Sequence, residues 1–216
     1  MKPVKFTDPH YGYRMANPGA RRAAIGFSSH TGRAAAVVIA GPRDAPSVVA
    51  KRSVVMATTF DTGAVYHMGQ KLPVDRAEEL VRSSEETFVA AARAAIAALA
   101  AELRGEGLEP VASAVVAGGK RPLPPLEAIL KSHALVHAAE GELYRRVLAR
   151  ASEACAIPVA FVPATDLPAR VGDAAGIPSK RVVSILAEVG KASGKPWARD
   201  QKEAALAAWL ALAGPR

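Results

Sequence analysis

Cysteine is nearly absent: Cys155 is the only one in 216 residues. That excludes an internal disulfide and any multi-cysteine zinc site. Aromatic residues make up only 5% of the chain, which argues against a core of large rings and favours closely packed helices on a sheet. No apolar run reaches the roughly 18 residues of a membrane-spanning helix. The longest stretches, Arg33–Ala40 and Phe88–Ala101, are broken by arginine or end at a turn. The opening residues, MKPVKFTDPHYGYR, lack the apolar centre of a secretory signal. No membrane partner and a cytoplasmic location are expected.

What is present fits a folded α/β chain. Half of the residues are hydrophobic and 22% are charged, the balance of a globular protein. The length suits one domain. The net charge of +8 points to a polyanionic partner, because clustered cations displace the counterions of phosphates. Arginine- and alanine-rich chains are also commonly basic with no such partner. Lys2, Lys5, Arg14, Arg21 and Arg22 stand against Asp8 alone, interleaved with Phe6, Tyr11 and Tyr13. Residues 1–22 are therefore set apart as a basic arm and 23–216 as the domain.

Three strand-like runs open the domain: Ala23–Phe27, Arg33–Ala40 and Ser47–Ala57, joined by short Ser/Gly- or Pro-containing links that favour antiparallel pairing. Thr58–Pro73 reads as irregular. Asp75–Leu103 has Phe88, Ala92, Ile96, Leu99 and Leu103 at helical spacing. A fourth strand, Val111–Ala117, ends at Gly118-Gly119 before the loop Lys120–Pro124, and a helix is expected from Pro125 to about Cys155. Ile157–Val162 reads as the fifth strand, Asp166–Gly176 as loop, and Ser179–Ala192 and Asp200–Ala213 as helices. The order β-β-β-α-β-α-β-α, with right-handed crossovers, gives a mixed five-stranded sheet with helices on both faces. Its strand order is 3-2-1-4-5 if the first crossover returns beside the first strand.

A helix ending in Arg150-Ala151-Ser152 leads into Ile157-Pro158-Val159-Ala160-Phe161-Val162, then Pro163-Ala164, and later the helix Asp200-Gln201-Lys202-Glu203-Ala204-Ala205-Leu206-Ala207. With this element order, the chain resembles the ribonuclease-H-like superfamily, and its C-terminal half is most similar to bacterial Holliday-junction resolvases. The resemblance implies a nucleic-acid partner. It also implies acids in the first strand, at the end of the fourth and on the last helix, together holding two Mg²⁺ ions. Here Ser28 stands at the first position and Gly118 at the second, and only Asp200 and Glu203 match. A hydroxyl is a poor substitute for an anionic Mg²⁺ ligand, so the acidic site is degenerate and ordinary nuclease activity is not expected.

Ser28, Ser29, His30, Thr31 and Gly118, with Lys120 and Arg121, form a candidate phosphate site where the first and fourth strands diverge. Ser28–Gly32 also has the composition of a plain turn. His133, His137 and Glu140 share one helix face and form a candidate metal site, with His67 or Asp200 as a further ligand. Packing roles for the histidines are the alternative. Asp200 and Glu203 also have capping-box spacing, the favoured explanation for that pair. A divalent metal is the one cofactor suggested. Function divides between a domain binding nucleic acid or another phosphate-bearing ligand, a noncatalytic homodimeric interaction module joined through alanine-rich helices, and an actin-like nucleotide binder.

Overall fold

A computed structural model describes residues 19–118 and 122–214. Strand β1 (Arg21–His30) turns through Thr31-Gly32 into β2 (Arg33–Ala40), and β2 pairs in turn with β3 (Ser47–Val55), both antiparallel. Gly32 takes φ 76° in the two-residue turn, which a residue without Cβ adopts at no steric cost. Its carbonyl accepts from the Met56 and Ala57 N–H groups at 2.8 and 2.9 Å. Strand β4 (Leu108–Ala117) lies parallel to β1, and β5 (Val159–Pro163) parallel to β4. The sheet order β3-β2-β1-β4-β5 is the one expected from the sequence.

Both faces of the sheet are covered, so β1 is buried from Ala23 to Ser28 and reads as an unbroken apolar run. Side chains alternate. Ala23, Ile25 and Phe27 pack with helices α3 (Val74–Gly105) and α5 (His133–Ala154), where Phe88, Ala92, Ile96, Leu99 and Leu103 form the predicted stripe. Ala24 faces the opposite layer, α6 (Leu167–Ala175), α7 (Ser179–Ser193) and α8 (Arg199–Ala213). Helix α8 lies directly on β1. A Cβ built on Gly26 would sit 1.9 Å from the Ala204 carbonyl oxygen and 2.6 Å from the Ala208 nitrogen. The alanines of α8 make this approach feasible: Ala204, Ala205, Ala207, Ala208 and Ala213 are all buried within the chain. They do not form the free homodimer face expected of this alanine-rich helix.

Several boundaries differ from expectation for local reasons. The 58–73 segment holds two short helices, α1 (Phe60–Gly63) and α2 (Val65–Gly69). The helix expected from Pro125 is broken into α4 (Leu126–Leu130) and α5, because Ser132 caps α5 by accepting from the Leu135 N–H. The loop expected at Asp166–Gly176 is helix α6. Pro168 fits its first turn, Leu167 and Val171 are buried one turn apart, and Gly176 ends it at φ 77°. Strand β1 extends past Phe27 to His30. Most of the basic arm, residues 1–18, lies outside the described residues, whereas Arg21 and Arg22 begin β1. No described helix is long and apolar enough to cross a membrane.

Helices α3 and α5 are joined by charge as well as packing. Arg146 Nε and Nη2 donate to the two oxygens of Glu85 at 2.8 and 2.7 Å, and Arg150 adds a third bond at 3.2 Å. The hydrogen bond from Arg146 holds the Glu85 carboxyl below its ordinary range. A depressed carboxylate contributes stability above its unfolded value and loses it as the pH falls through its folded value.

Two measurements follow from these contacts. Gly26→Ala must displace the α8 backbone, and we expect a loss of about 1–3 kcal/mol or more in urea unfolding. Glu85→Gln removes an acid-dependent contribution on the order of 1 kcal/mol. The variant is then less stable than the parent at neutral pH, and the difference shrinks as the pH drops below the ordinary carboxylate range.

Candidate functional site at the β1/β4 cleft

The close seating of α8 on Gly26 brings its first turns over the end of β1. Residues 24, 26, 28 and 30 share one face of the strand. Gly26 meets Ala204, and farther along Ser28 Oγ donates to Glu203 Oε2 at 3.3 Å. At the strand end, His30 Nε2 lies 2.8 Å from Asp200 Oδ2. Arg199 Nε donates to Glu203 Oε1 at 2.7 Å. Across the cleft, β4 contributes Val116 and Ala117, and Ala164 follows β5. Arg145 reaches in from α5. A Cβ on Gly118 would meet its guanidinium at 2.7 Å, and one on Gly141 would lie 3.1 Å from Nη1. Glu142 Oε2 accepts from Arg145 Nε and Nη2 at 3.2 and 3.0 Å. Together these groups enclose a cleft of about 280 Å³.

Of the residues singled out in the sequence, Ser28, Ser29 and His30 line this cleft. Thr31 belongs to the hairpin turn, Gly118 makes room for Arg145, and Lys120 and Arg121 lie outside the described residues. Ser28 and Ser29 are strand residues, which corrects the reading of Ser28–Gly32 as a turn. Asp200 and Glu203 face the cleft, which corrects the capping reading. The α8 terminus is bonded instead by Gln201 Oε1, which accepts from the Ala198 N–H at 2.9 Å. Sequence reasoning missed Arg145 and Arg199. Arg199 had a signal, since it precedes Glu203 by four residues on a helix. Arg145 had none beyond Gly141 four residues before it and the distant Gly118.

The carboxylate set that the resemblance implies for two Mg²⁺ ions is matched here only in part. Among the described residues that line the cleft, Asp200 and Glu203 are the carboxylates. The first is paired with His30, the second with Arg199 and with Ser28 as donor. Val116, Ala117 and Gly118 carry no ligand group. Hard divalent cations need several oxygen ligands, usually anionic ones, and this cleft offers a set of ion pairs instead.

A second cluster lies on α2 and the first turns of α5. His133 and His137, one turn apart, meet edge to face with their Nε2 atoms 3.0 Å apart, and the His67 ring approaches that of His137 to 4.7 Å between centroids. His67 Nδ1 lies 2.8 Å from Glu140 Oε1, which also accepts the His67 backbone N–H at 3.3 Å. Glu140 thus stands behind His67 and does not converge with His133 and His137 as the helix spacing suggested. His67 completes the cluster, whereas Asp200 belongs to the other cleft.

The Ser28 hydrogen bond yields a direct test. Ser28→Ala removes one bond to Glu203 at a cost of about 0.5–1.5 kcal/mol. Ser28→Asp sets a carboxylate against Glu203, so it should destabilise more than alanine does at neutral pH. Thermal unfolding at neutral and acidic pH measures both, and the aspartate penalty should shrink on acidification as the carboxyls protonate.

No family model and no curated protein matches the chain. Among solved structures it is similar to T. thermophilus RuvC in complex with Holliday junction substrate, with 10% identity, 88% of this chain and 91% of that chain covered, and a TM-score of 0.51. A second structure, Thermus thermophilus RuvC, gives 10% identity, coverage of 87% and 91%, and a TM-score of 0.48. Strand order, the parallel β1–β4 pairing and the helices on both faces agree with the first of these similarities. The chain has the ribonuclease-H-like fold.

Proposed function

We propose that this chain binds nucleic acid, or another phosphate-bearing ligand, at the β1/β4 cleft without two-metal phosphodiester hydrolysis. The observation that carries the reading is the cleft at the carboxyl ends of β1 and β4, with Arg145 and Arg199 among its lining residues. In open α/β sheets, ligands bind outside strand ends where neighbouring connections diverge. A guanidinium presents five donors in a planar fork suited to phosphate. Glu142 occupies two donor atoms of Arg145, and Arg199 is largely exposed. The net charge of +8 favours encounter with a polyanion. The RuvC structure of similar fold is a complex with Holliday junction substrate, which supports a nucleic acid as the ligand class.

The lack of hydrolysis rests on Ser28. With a neutral donor between the strand and Glu203, the described residues of the cleft offer two carboxylates, both already paired, to metal ions that would activate water or stabilise a leaving oxygen. Its side chains suit recognition of charge.

Fluorescence anisotropy with generic oligonucleotides at several salt concentrations tests the binding. A contact set of about five phosphates gives a log–log slope of roughly −3.5 to −4.5, for single and double strands respectively. Arg145→Ala and Arg199→Ala should each make the slope shallower by roughly one. Removal of residues 1–18 should also flatten it, since it takes away Lys2, Lys5 and Arg14. In parallel, RNA–DNA hybrids and four-way junctions should stay intact with Mg²⁺. Cleavage abolished by Asp200→Asn would overturn the noncatalytic assignment. An absence of binding at low salt would overturn the nucleic-acid reading in favour of a protein-interaction module.

A further inference from the structure

The histidine cluster on α2 and α5 has a construction that packing does not require. His133 and His137 are exposed on the α5 surface, so burial does not explain them. A candidate ligand nitrogen of each of His67, His133 and His137 lies within 4.8 Å of the others. A tetrahedral ion with bonds of about 2.0–2.1 Å separates its nitrogen ligands by roughly 3.3 Å. The His133–His137 separation of 3.0 Å is close to that value, and His67 stands within 4.8 Å of both.

The fourth group distinguishes this cluster from a chance meeting of imidazoles. Glu140 is 2% exposed, and a buried carboxylate is costly without a positive or donating partner. The bond between its Oε1 and His67 Nδ1 leaves Nε2 as the remaining ring nitrogen. A carboxylate on the far nitrogen is the usual support of a metal-ligating histidine, fixing its tautomer and raising its basicity. His67 comes from α2, 66 residues before His133, whereas the other three share α5.

We propose that His67, His133 and His137 bind one divalent transition-metal ion of the zinc class, with Glu140 as the positioning residue that orients His67. Three imidazoles favour Zn²⁺ and its neighbours over Mg²⁺ or Ca²⁺. Water takes the fourth, solvent-facing position. His137 precedes Arg145 by eight residues on α5, roughly 12 Å along the helix axis, so this site is separate from the β1/β4 cleft and does not depend on the function proposed for it.

Metal-free protein titrated with Zn²⁺ against a chromogenic chelator tests the site, with Co²⁺ as the spectroscopic probe. One equivalent should bind, and Co²⁺ should show the intense visible absorption of a four-coordinate centre. The double variant His133→Asn/His137→Asn, altered only at exposed positions, should keep its far-ultraviolet dichroism and lose at least about 100-fold in affinity. Glu140→Gln should weaken binding by about 10–100-fold and change the Co²⁺ spectrum, and His67→Asn should convert it to that of a two-histidine site. Undiminished affinity in the double variant, or no stoichiometric binding by the parent, would overturn the metal site. Unchanged affinity and spectrum in Glu140→Gln would overturn the role given to that carboxylate.

Discussion

The contact between Gly26 and the backbone of α8 is the constraint on which the rest of this structure turns. With no Cβ at position 26, the helix settles against the central strand until Ala204 and Ala208 nearly touch it. That depth places Glu203 over Ser28 and Asp200 beside His30. A helix held farther from the sheet would leave those pairs out of reach. Packing at the centre of the fold therefore sets the distances in the cleft.

The same strand divides the molecule into two chemical districts. Toward α8, its end meets carboxylates and guanidinium groups that neutralise one another. On the α5 side, Tyr144 stacks on Phe88 at 5.3 Å and donates to the Gly63 carbonyl at 2.8 Å. This anchors α1 to α5, and α2 follows with His67. The histidines are thus held by contacts independent of those that shape the cleft. Arg145 on one turn of α5 and His137 two turns earlier let a single helix serve both.

Much of this was legible in sequence, and the limits have physical causes. Strand β2 and the stripe Phe88–Leu103 carry strong periodicity, and the short turns left little choice in pairing. Helix α6 was hidden because it is short and begins at a proline, where local chemistry resembles a loop. The break between α4 and α5 depends on one serine cap within a continuous apolar pattern. In the cleft, Ser28 was legible as a candidate, but the capping role expected for Asp200 and Glu203 was not the one adopted. Spacing along a helix says which face residues share, not what lies opposite. For the same reason the spacing could set His133, His137 and Glu140 on one helix, while the pairing of Glu140 with His67 required knowing where His67 falls.

The two-residue turn at Thr31-Gly32 has a consequence for fidelity of assembly. Because successive strand residues point to opposite faces, a slip of one position in β1 would exchange the two sets of side chains. Phe27 would enter the polar cleft, and Ser28 would be pressed into the apolar layer beneath α3. The turn prevents this by pinning His30 opposite Arg33, and the Gly32 carbonyl ties it to the residues following β3. The hairpin thus acts as a gauge, deciding which side of the sheet is oily and which can hold charge.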